Sequence, residues 1–405
     1  MNVLSLFDGM SCGQQALERA GIKIDNYFAS EIDKYAIQVT MANYPNTIQL
    51  GSVINVDGYQ LPKIDLLIGG SPCQSFSFAG KRKGMSTKCE IEILTLDQYL
   101  NLKAECYEFE GQSYLFWEFI RLLNEVKPKY FLLENVMMGE KWERILSNTI
   151  GLNPIEINSA LVSAQNRRRL YWTNIGLEPG GLFGYLESTI KQPKDKGILL
   201  KDILESEVDE KYFLSDKCIN KITKTNNGQR CFETLDKSLC LAAGYHKQGR
   251  DNQYIVAMRG REAVLTPKRT EYGKSIRKDY EAGNIETQRK NIQQLEPRTD
   301  GKTNTITSVQ KDNLVYTENY IQLPGYRIDN QVFYEDNKHG TLDTHPNRPK
   351  VLTEGKIRRL TPLECMRLQT VKDDYLMPVS DTQKYRMLGN GWTIDVIAHI
   401  FSYLK

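Results

Sequence analysis

The first third of the chain alternates short apolar runs with amphipathic helical patterns, and this alternation restricts the possible fold most. Strand patterns occur at Val3–Phe7, Tyr27–Ser30, Ile64–Gly69 and Tyr130–Glu134. Helical patterns accompany them at Gly13–Ala20, Lys34–Tyr44 and Tyr114–Val126. Strand–helix–strand repetition at this spacing predicts a parallel, doubly wound α/β sheet. Such sheets bind ligands beyond the carboxyl ends of their strands.

The composition changes between about residue 180 and residue 350. Gly, Asn, Gln, Thr and Lys become common there, and short strand patterns replace the helices, at Gln253–Met258, Asn304–Val309 and Asn313–Tyr316. Helical patterning returns after Ile357, where Thr361 resembles an N-cap and Pro362 a first helical residue. A last helix is predicted at Thr393–Leu404. We therefore predict a discontinuous first domain of residues 1–178 and 355–405, and a smaller mixed or β-rich domain of residues 179–354.

The overall composition limits the classes of partner. With 405 residues the chain is long enough for about two to three domains, and a net charge of only +3 requires any nucleic-acid surface to be a local concentration of Lys and Arg. No apolar run approaches the roughly 20 residues that span a bilayer, and the N-terminus lacks the pattern of a secretory signal. The eight cysteines form no C-x-x-C pair, so we expect no metal site and reduced, cytoplasmic thiols.

The most specific motif is Ile-Gly-Gly-Ser-Pro-Cys-Gln-Ser-Phe-Ser, at residues 68–77. An apolar strand ends there in two glycines, and Cys73 follows on a turn set by Pro72. A thiol at a strand end, within reach of backbone amides, can have a lowered pKa and act as a nucleophile. A single cysteine is more often a small buried core residue. This setting favours the catalytic interpretation.

Two further motifs supply polar groups. Glu134 and Asn135 close the strand of Phe-Leu-Leu-Glu-Asn-Val. An isolated glutamate usually caps a helix or forms a salt bridge, but beside the first strand end it would protonate or hydrogen-bond a substrate ring nitrogen. Gln165, Arg167 and Arg169 alternate in Gln-Asn-Arg-Arg-Arg-Leu-Tyr-Trp. In an extended strand they would share one face, suited to a base edge or a phosphate. The alternative is a solvated basic edge strand.

Two weaker signals lie near the N-terminus. Phe-Asp-Gly-Met-Ser-Cys-Gly, residues 7–13, is a glycine-containing turn between a strand and a helix. Glu31 follows the second strand, where a carboxylate would meet ribose hydroxyls. Each signal alone is compatible with many cofactors.

The motifs taken in order resemble those of the DNA (cytosine-5) methyltransferases. The matching segments are FDGMSCG, Glu31, GGSPCQSFS, LENV, QNRRR, RRLTPLECMRLQ and LGNGWTIDVI, which extend from residue 3 to about 175 and from about 357 to the end. The resemblance implies a Rossmann-like, S-adenosylmethionine-dependent methyltransferase domain and a smaller target-recognition domain formed by the variable stretch between them. S-adenosylhomocysteine would be the product of the cofactor.

The resemblance also implies roles for individual residues. Cys73 would attack carbon 6 of a flipped-out cytosine, Glu134 would stabilise the ring at nitrogen 3, and Arg169 with Arg167 would hold the base and the catalytic loop. Gln74 and Asn135 complete the catalytic set. The implied cofactor-binding residues are Phe7, Asp8, Gly9, Gly13, Glu31, Ile32, Ser52, Val53, Pro72, Leu115, Asn390, Gly391 and Trp392.

Three features depart from the family pattern. Ser52 occupies the position where an acidic residue often contacts the adenine amino group. Trp392 follows Gly-Asn-Gly where many members have Gly-Asn-Ser, and it packs either at the cofactor or in the core. Residues 84–110 form a long insert, in which Thr95–Cys106 has the pattern of an amphipathic helix. That helix either lies over the DNA or is a plain surface helix.

The variable stretch is basic between residues 259 and 278, which fits phosphate contact, although a solvated loop would look similar. Thr305 and Ile306 resemble a Thr-Leu pair that precedes the family's recognition loops. The expected DNA contacts are Gln165, Arg259, Arg261, Lys268, Arg269, Thr305 and Ile306.

Other functions make different demands on the sequence. An amino-methyltransferase would need an Asp/Asn/Ser-Pro-Pro-aromatic turn, which is absent. A tRNA-acting relative of the cytosine-5 class carries a much shorter variable region, and a catalytically silent DNA-binding protein has no reason to keep Cys73. We therefore expect a DNA (cytosine-5) methyltransferase of bacterial or phage type that acts on double-stranded DNA. By family analogy it is a cytoplasmic, monomeric chain that a cognate restriction endonuclease can accompany.

Overall fold

A computed structural model of the chain describes residues 1–72, 85–180, 185–213 and 356–404. It also describes shorter pieces at residues 231–232, 240–241, 243, 254–257, 262–269, 271–276, 293–297 and 314–317. The chain divides into two compact units. The first comprises Met1–Ile203, Lys237–His246 and Pro362–Lys405, and the second comprises Leu204–Asp236 and Lys247–Thr361.

The first unit is built on a mixed sheet. Its strands are β1 (Asn2–Leu6), β2 (Asn26–Ser30), β3 (Ile48–Gln49), β4 (Leu66–Gly70), β5 (Tyr130–Val136), β6 (Ile155–Asn158) and β7 (Arg168–Thr173), beside a separate antiparallel pair of β8 (Leu177–Gly180) and β9 (Tyr185–Ser188). The first seven strands form one sheet in the order β3-β2-β1-β4-β5-β7-β6. β1 to β5 are parallel, as the strand–helix alternation predicts.

β7 differs in direction from the parallel strands before it, because it runs antiparallel to both β5 and β6. The connection from β6 to β7, residues 159–167, is shorter than the dozen or more residues that a parallel crossover needs. β7 therefore returns between its neighbours and lies inside the sheet. The alternative of a solvated basic edge strand for this segment is wrong.

Helices cover the sheet of the first unit. The described helices are α1 (Cys12–Arg19), α2 (Lys34–Asn43), α3 (Leu96–Ala104), α4 (Phe116–Val126), α5 (Glu140–Ile150), α6 (Leu200–Ile203), α7 (Glu271–Ser275, in the second unit), α8 (Pro362–Leu368), α9 (Asp381–Asn390) and α10 (Ile394–Phe401). Leu4 and Leu6 of β1 pack in one buried cluster with Phe116 and Phe119 of α4. Val3 is also fully buried, as expected for a parallel strand that is covered on both faces.

The predicted elements of the first unit are confirmed within one or two residues at most ends. The insert contains α3, which Thr95 caps by accepting a hydrogen bond from the Gln98 amide at 3.2 Å. α8 begins at Pro362, as predicted. Among the residues described, no helix combines the length and apolar character that crossing a membrane requires.

The second unit is rich in β-structure where it is described. Its strands are β10 (Cys231–Phe232), β11 (Tyr254–Ala257), β12 (Glu262–Arg269), β13 (Gln293–Pro297), β14 (Leu314–Thr317) and β15 (Lys356–Arg358). They form two three-stranded sheets, with the orders β10-β11-β15 and β13-β12-β14. β11 and β14 confirm two of the predicted strands, and the third, Asn304–Val309, lies outside the described residues.

Gly13 allows α1 to approach the sheet closely. A Cβ atom at this position would lie 2.4 Å from Ile68 Cδ1 and 2.6 Å from the Tyr27 hydroxyl. We expect Gly13→Ala to lower the free energy of unfolding by about 1–3 kcal/mol, because overpacking forces buried neighbours to move. Urea denaturation measures the change.

Gly139→Ala is the matched control for this substitution. Its Cβ would meet no atom within 4 Å, and its φ of −69° suits any residue. We expect this control to cost less than about 1 kcal/mol, the scale of a weakened N-cap. Equal losses in the two variants would show that the close approach at Gly13 is not limiting.

Candidate active site

The turn after β1 exposes its backbone next to a carboxylate. Phe7, Gly9 and Ser11 have φ values of 57°, 59° and 60°, so the turn alternates left-handed residues. A Cβ on Gly9 would meet no atom within 4 Å, so this glycine faces open space. Its amide donates a hydrogen bond of 2.8 Å to Glu31 Oε2. This hydrogen bond joins the turn to Glu31, which directly follows β2.

Glu31 is oriented by backbone amides. Its Oε1 accepts hydrogen bonds from the amides of Ile32 at 2.7 Å and Asp33 at 2.8 Å. Each carboxylate oxygen has more than one acceptor position, so a ligand hydroxyl can still bind. The neighbouring Ile32 is 71% exposed and presents apolar surface beside this carboxylate. This pair suits a ligand that combines hydroxyl groups with a flat apolar ring.

The other residues of the predicted cofactor set differ in how far they are buried. Asp8 accepts hydrogen bonds from the Tyr27 hydroxyl at 2.7 Å and the Ser11 hydroxyl at 2.8 Å. Burial raises the pKa of Asp8 to about 6, although these hydrogen bonds oppose the shift. Gly13 and Val53 are buried as well, whereas Ser52, Pro72, Leu115, Gly391 and Trp392 are partly exposed and Asn390 is exposed. Asp8 thus holds the turn from within.

The parallel register of β4 and β5 brings two of the predicted motifs together. Gly70 is the register partner of Glu134. One residue further on, the Asn135 side-chain amide donates hydrogen bonds of 3.0 Å to the Ser71 hydroxyl and 3.4 Å to its carbonyl. The strand ends are therefore joined next to Pro72, the last described residue before the motif's cysteine. Cys73 and Gln74 lie outside the described residues.

Glu134 is a buried carboxylate with two partners from distant segments. Its Oε1 lies 3.0 Å from Arg169 Nε, and because the N–H is not directed at the oxygen, this contact is an ion pair without a hydrogen bond. Its Oε2 accepts a hydrogen bond from the Trp392 indole nitrogen at 3.2 Å. A Cβ on Gly70 would lie 2.8 Å from that nitrogen, so the contact requires glycine there. The strand end, β7 and the C-terminal motif thus meet at Glu134.

Arg167, directly before β7, also contacts the C-terminal motif. It is buried, and its guanidinium donates hydrogen bonds of 3.3 Å to the Gly389 carbonyl and 3.0 Å to the Gly391 carbonyl. A third hydrogen bond, of 3.3 Å, reaches the Leu241 carbonyl. Arg167 therefore holds the Gly-Asn-Gly-Trp turn that presents Trp392.

Cys240 contacts both arginines and was not among the predicted site residues. Its sulfur accepts hydrogen bonds from the guanidinium groups of Arg167 at 3.2 Å and Arg169 at 3.6 Å. The residue as a whole is nevertheless exposed. Burial of the sulfur favours the neutral thiol, but the positive charges of Arg167 and Arg169 outweigh this effect and lower the pKa of Cys240. The sequence carried no signal for this thiol, because it lies in the variable stretch far from either arginine.

The structure places Gln165 differently from its two companions. β7 begins at Arg168, so Gln165 and Arg167 precede the strand, and the expected common strand face does not form. Gln165 has no exposed surface, and its Oε1 accepts from the Leu241 amide at 3.4 Å. The solvent-exposed arginine of this motif is Arg168, which pairs with Glu156 on β6. Contact between Gln165 and DNA would require this burial to change.

Only part of the expected recognition surface is described. Lys268 and Arg269 end β12, opposite Gln294 and Gln293 of β13. Arg259, Arg261, Thr305 and Ile306 lie outside the described residues. In the part of the chain that is described, no cluster of three or more His, Cys, Asp or Glu side chains is suited to hold a metal ion.

Thiol reactivity tests the arrangement around Cys240. We expect iodoacetamide to alkylate Cys240 well before Cys12, because burial raises the pKa of Cys12 to about 12 while the two arginines lower that of Cys240. Peptide mass spectrometry over a series of pH values measures each rate. In Arg169→Met the Cys240 titration should move to higher pH. An unchanged titration in that variant would contradict the contact.

Comparison with known proteins agrees with the motifs. A family profile described as C-5 cytosine-specific DNA methylase matches residues 1–97 and 105–405. The orphan methyltransferase M.SPRI of Bacillus phage SPR is 27% identical over 467 aligned positions, which cover 100% of this chain and 97% of that protein. The type II methyltransferase M1.ScrFI of Lactococcus lactis subsp. cremoris is 25% identical, over 93% of this chain and 70% of that protein.

A solved structure shows the same fold. The Entamoeba histolytica methyltransferase EhMeth superposes with a TM-score of 0.59 at 13% identity, covering 100% of this chain and 97% of that one. A doubly wound sheet in this family is Rossmann-like, so the predicted fold class is confirmed. Because the family profile covers almost the whole sequence, the chain belongs to the C-5 cytosine-specific DNA methylase family and is a methyltransferase.

Proposed function

We propose that this chain transfers a methyl group from S-adenosylmethionine to carbon 5 of cytosine in double-stranded DNA. The observation that carries the proposal is the buried Glu134, which Arg169 and Trp392 hold at the end of β5. Beside it, β4 leads through Ser71 and Pro72 into the motif that contains Cys73. Cytosine methylation needs a thiol nucleophile and a group that hydrogen-bonds the ring, and these two motifs would supply Cys73 and Glu134 for these roles.

The surface between the β1 turn and β2 fits S-adenosylmethionine. The Gly9 backbone faces open space, and Glu31 presents a carboxylate where two ribose hydroxyls would bind. Ile32 and Leu115 supply apolar surface for an adenine ring, and Asn390 and Trp392 would lie at the methionine end. When bound, the cofactor supplies an electrophilic methyl group. The polar and apolar groups present match the two halves of its nucleoside.

The proposed reaction uses residues of this chain to form and break bonds at the cytosine ring. The Cys73 thiolate would add to carbon 6 of cytosine, while Glu134 shares a proton with nitrogen 3 and makes carbon 5 electron-rich. Carbon 5 would take the methyl group with S-adenosylhomocysteine as the leaving group, and it would then lose its proton to solvent while nitrogen 3 returns its proton to Glu134. The electron pair re-forms the ring double bond and expels the thiolate. Arg169 would keep Glu134 in place, and Arg167 would keep Trp392 in contact with it.

The substrate base must leave the duplex. A nucleophile cannot reach carbon 6 from above while the ring is stacked between neighbours, so the cytosine would be flipped out. Lys268 and Arg269, with Arg259 and Arg261, provide the local positive charge that phosphate contact requires in a chain of low net charge. We propose residues 179–354 as the target-recognition domain and residues 1–178 with 355–405 as the catalytic domain. The similar proteins include both orphan and type II methyltransferases, so a partner nuclease for this chain stays a prediction.

Covalent trapping tests the proposed reaction. We expect wild-type protein with S-adenosylmethionine to form a denaturation-resistant complex with duplex DNA that carries 5-fluorocytosine, because fluorine cannot leave as a proton does. Cys73→Ser should bind the same DNA without a covalent bond. RNA with 5-fluorocytosine serves as the second substrate. Trapping on RNA alone would identify an RNA methyltransferase, and binding without trapping would identify a silent DNA-binding protein.

The hydrogen bond from Trp392 to Glu134 should affect chemistry. We expect Trp392→Phe to lower the single-turnover rate of methyl transfer about 10- to 100-fold, the effect of losing one hydrogen bond to a buried charge. Trp117→Phe is the control, since the indole nitrogen of the fully buried Trp117 has no hydrogen-bond partner among the described residues. A Trp392→Phe rate within about twofold of wild type would remove this residue from the site.

A further inference from the structure

The insert after the catalytic motif is described for residues 85–110. It belongs to the first unit and packs there through α3. Its Tyr99 is 1% exposed, and Thr87 is buried as well, so the segment has an interior face rather than a loose surface position. The partner of α3 is α4, which follows the insert directly and lies against the main sheet. Tyr99 and Leu102 of α3 share a buried apolar cluster with residues of α4, and hydrogen bonds from α3 to Glu118 add to this packing.

Glu118 of α4 accepts hydrogen bonds from two residues of the insert. Its side chain has no exposed surface, and its Oε1 accepts hydrogen bonds from the Tyr99 hydroxyl at 2.5 Å and from Lys103 Nζ at 2.6 Å. Its Oε2 accepts from Arg121 Nε at 2.7 Å. A buried carboxylate is stable only while such donors surround it. Removing a donor from the insert therefore disturbs how Glu118 holds Arg121.

Arg121 transmits these contacts to the loop after β3. Its second guanidinium nitrogen donates hydrogen bonds of 3.1 Å to the Val53 carbonyl and 3.0 Å to the Val56 carbonyl. Lys103 also reaches the Ile54 carbonyl at 3.5 Å. These carbonyls belong to the 3₁₀ turn Val53–Asn55 and its next residue, directly after Ser52. Arg121 and Lys103 thus hold the backbone of the predicted cofactor residue Val53 and of the turn that it begins.

A second, aromatic connection leads to the other predicted wall of the cofactor surface. Phe109 of the insert stacks on Tyr114, with ring centroids 4.5 Å apart and planes inclined by 24°. Tyr99 contacts Phe109 at a centroid distance of 5.2 Å. Tyr114 immediately precedes Leu115, for which an adenine contact is proposed. Hydrogen bonds therefore connect the insert to the Val53 carbonyl, and ring contacts connect it to Tyr114, the residue before Leu115.

The charge of the insert argues against a position over DNA. Residues 85–110 contain the six acidic residues Glu90, Glu92, Asp97, Glu105, Glu108 and Glu110, against only Lys88 and Lys103. Lys103 is engaged with Glu118, and Lys88 pairs with Glu108 at 2.6 Å. A surface with this balance repels phosphates. Of the two roles considered for the insert helix, DNA contact is therefore disfavoured.

We propose that the insert positions the adenine side of the S-adenosylmethionine site, with Tyr99 and Lys103 as positioning residues that act through Glu118 and Arg121. This inference rests on the proposed function, because it takes S-adenosylmethionine as the ligand of the surface beside Val53 and Leu115. The insert fixes the Val53–Asn55 turn from outside, where Ser52 replaces the acidic residue that would contact adenine directly. We infer that α3 holds the Val53–Asn55 turn in place, and that this replaces a direct contact between residue 52 and the adenine.

Calorimetric titration with S-adenosylmethionine tests the proposal without requiring turnover. We expect Tyr99→Phe and Lys103→Met to raise the dissociation constant about 5- to 20-fold, since each removes one hydrogen bond to a buried carboxylate. Lys103→Arg, which keeps the positive charge, should restore most of the affinity. Lys88→Met is the matched control, because it removes the other lysine of the insert from an exposed pair with Glu108. This control should bind S-adenosylmethionine within about twofold of wild type.

Kinetics separate positioning from a general loss of structure. We expect the KM for S-adenosylmethionine to rise in Tyr99→Phe and Lys103→Met, while kcat and the KM for DNA stay within about twofold of wild type. Unchanged cofactor affinity in both variants, in an active wild-type background, would overturn the role of the insert and leave the methyltransferase reaction intact. A raised KM for DNA alone would overturn it in favour of DNA contact. Wild-type protein that binds no S-adenosylmethionine would refute the proposed function and the inference together.

Discussion

The buried carboxylate of Glu134 is the interaction on which the arrangement of the site depends. Removing a carboxylate from water costs several kcal/mol unless donors replace the solvent, and an incomplete set of partners is strongly destabilising. Here Arg169 of β7 supplies a positive charge, and Trp392 of the C-terminal turn donates a hydrogen bond. Arg167 in turn holds that turn through the carbonyls of Gly389 and Gly391. Segments separated by more than two hundred residues are therefore fixed together by one charge.

Glu118 is a second buried carboxylate that is surrounded in the same way. Glu118 is buried without exposure, and its donors come from the insert and from its own helix. Both carboxylates bind side chains from separate segments, Glu134 beside the proposed position of the base and Glu118 beside the proposed position of the adenine. Such networks restrict geometry more than they stabilise the fold, because the desolvation of each charge offsets most of the attraction. Their use beside a reaction centre agrees with the need for fixed geometry in catalysis.

Much of the fold could be predicted because it depends on local patterns. The apolar runs of β1, β2, β4 and β5 mark buried parallel strands, and their spacing places Glu134 beside the glycines of the catalytic motif. The reversal of β7 and the burial of Gln165 could not be predicted, since periodicity does not specify which strand a segment joins. The contact between Trp392 and Glu134 could not be predicted either, because the sequence of a turn does not show in which direction its side chains point. The insert was recognised as a helix, but its polar partners lie on another element. Cys73 and most of the recognition stretch stay predictions.

A double-mutant cycle between Glu134 and Trp392 tests the central claim most directly. The single-turnover rate of methyl transfer is measured for wild type, Glu134→Gln, Trp392→Phe and the double variant. If Trp392 acts by holding the carboxylate, the double variant should be no slower than Glu134→Gln alone, and the coupling energy should be about 1–3 kcal/mol. Additive losses, with a coupling energy near zero, would mean that the two side chains act independently, and the account of a site organised around one shared carboxylate would be wrong.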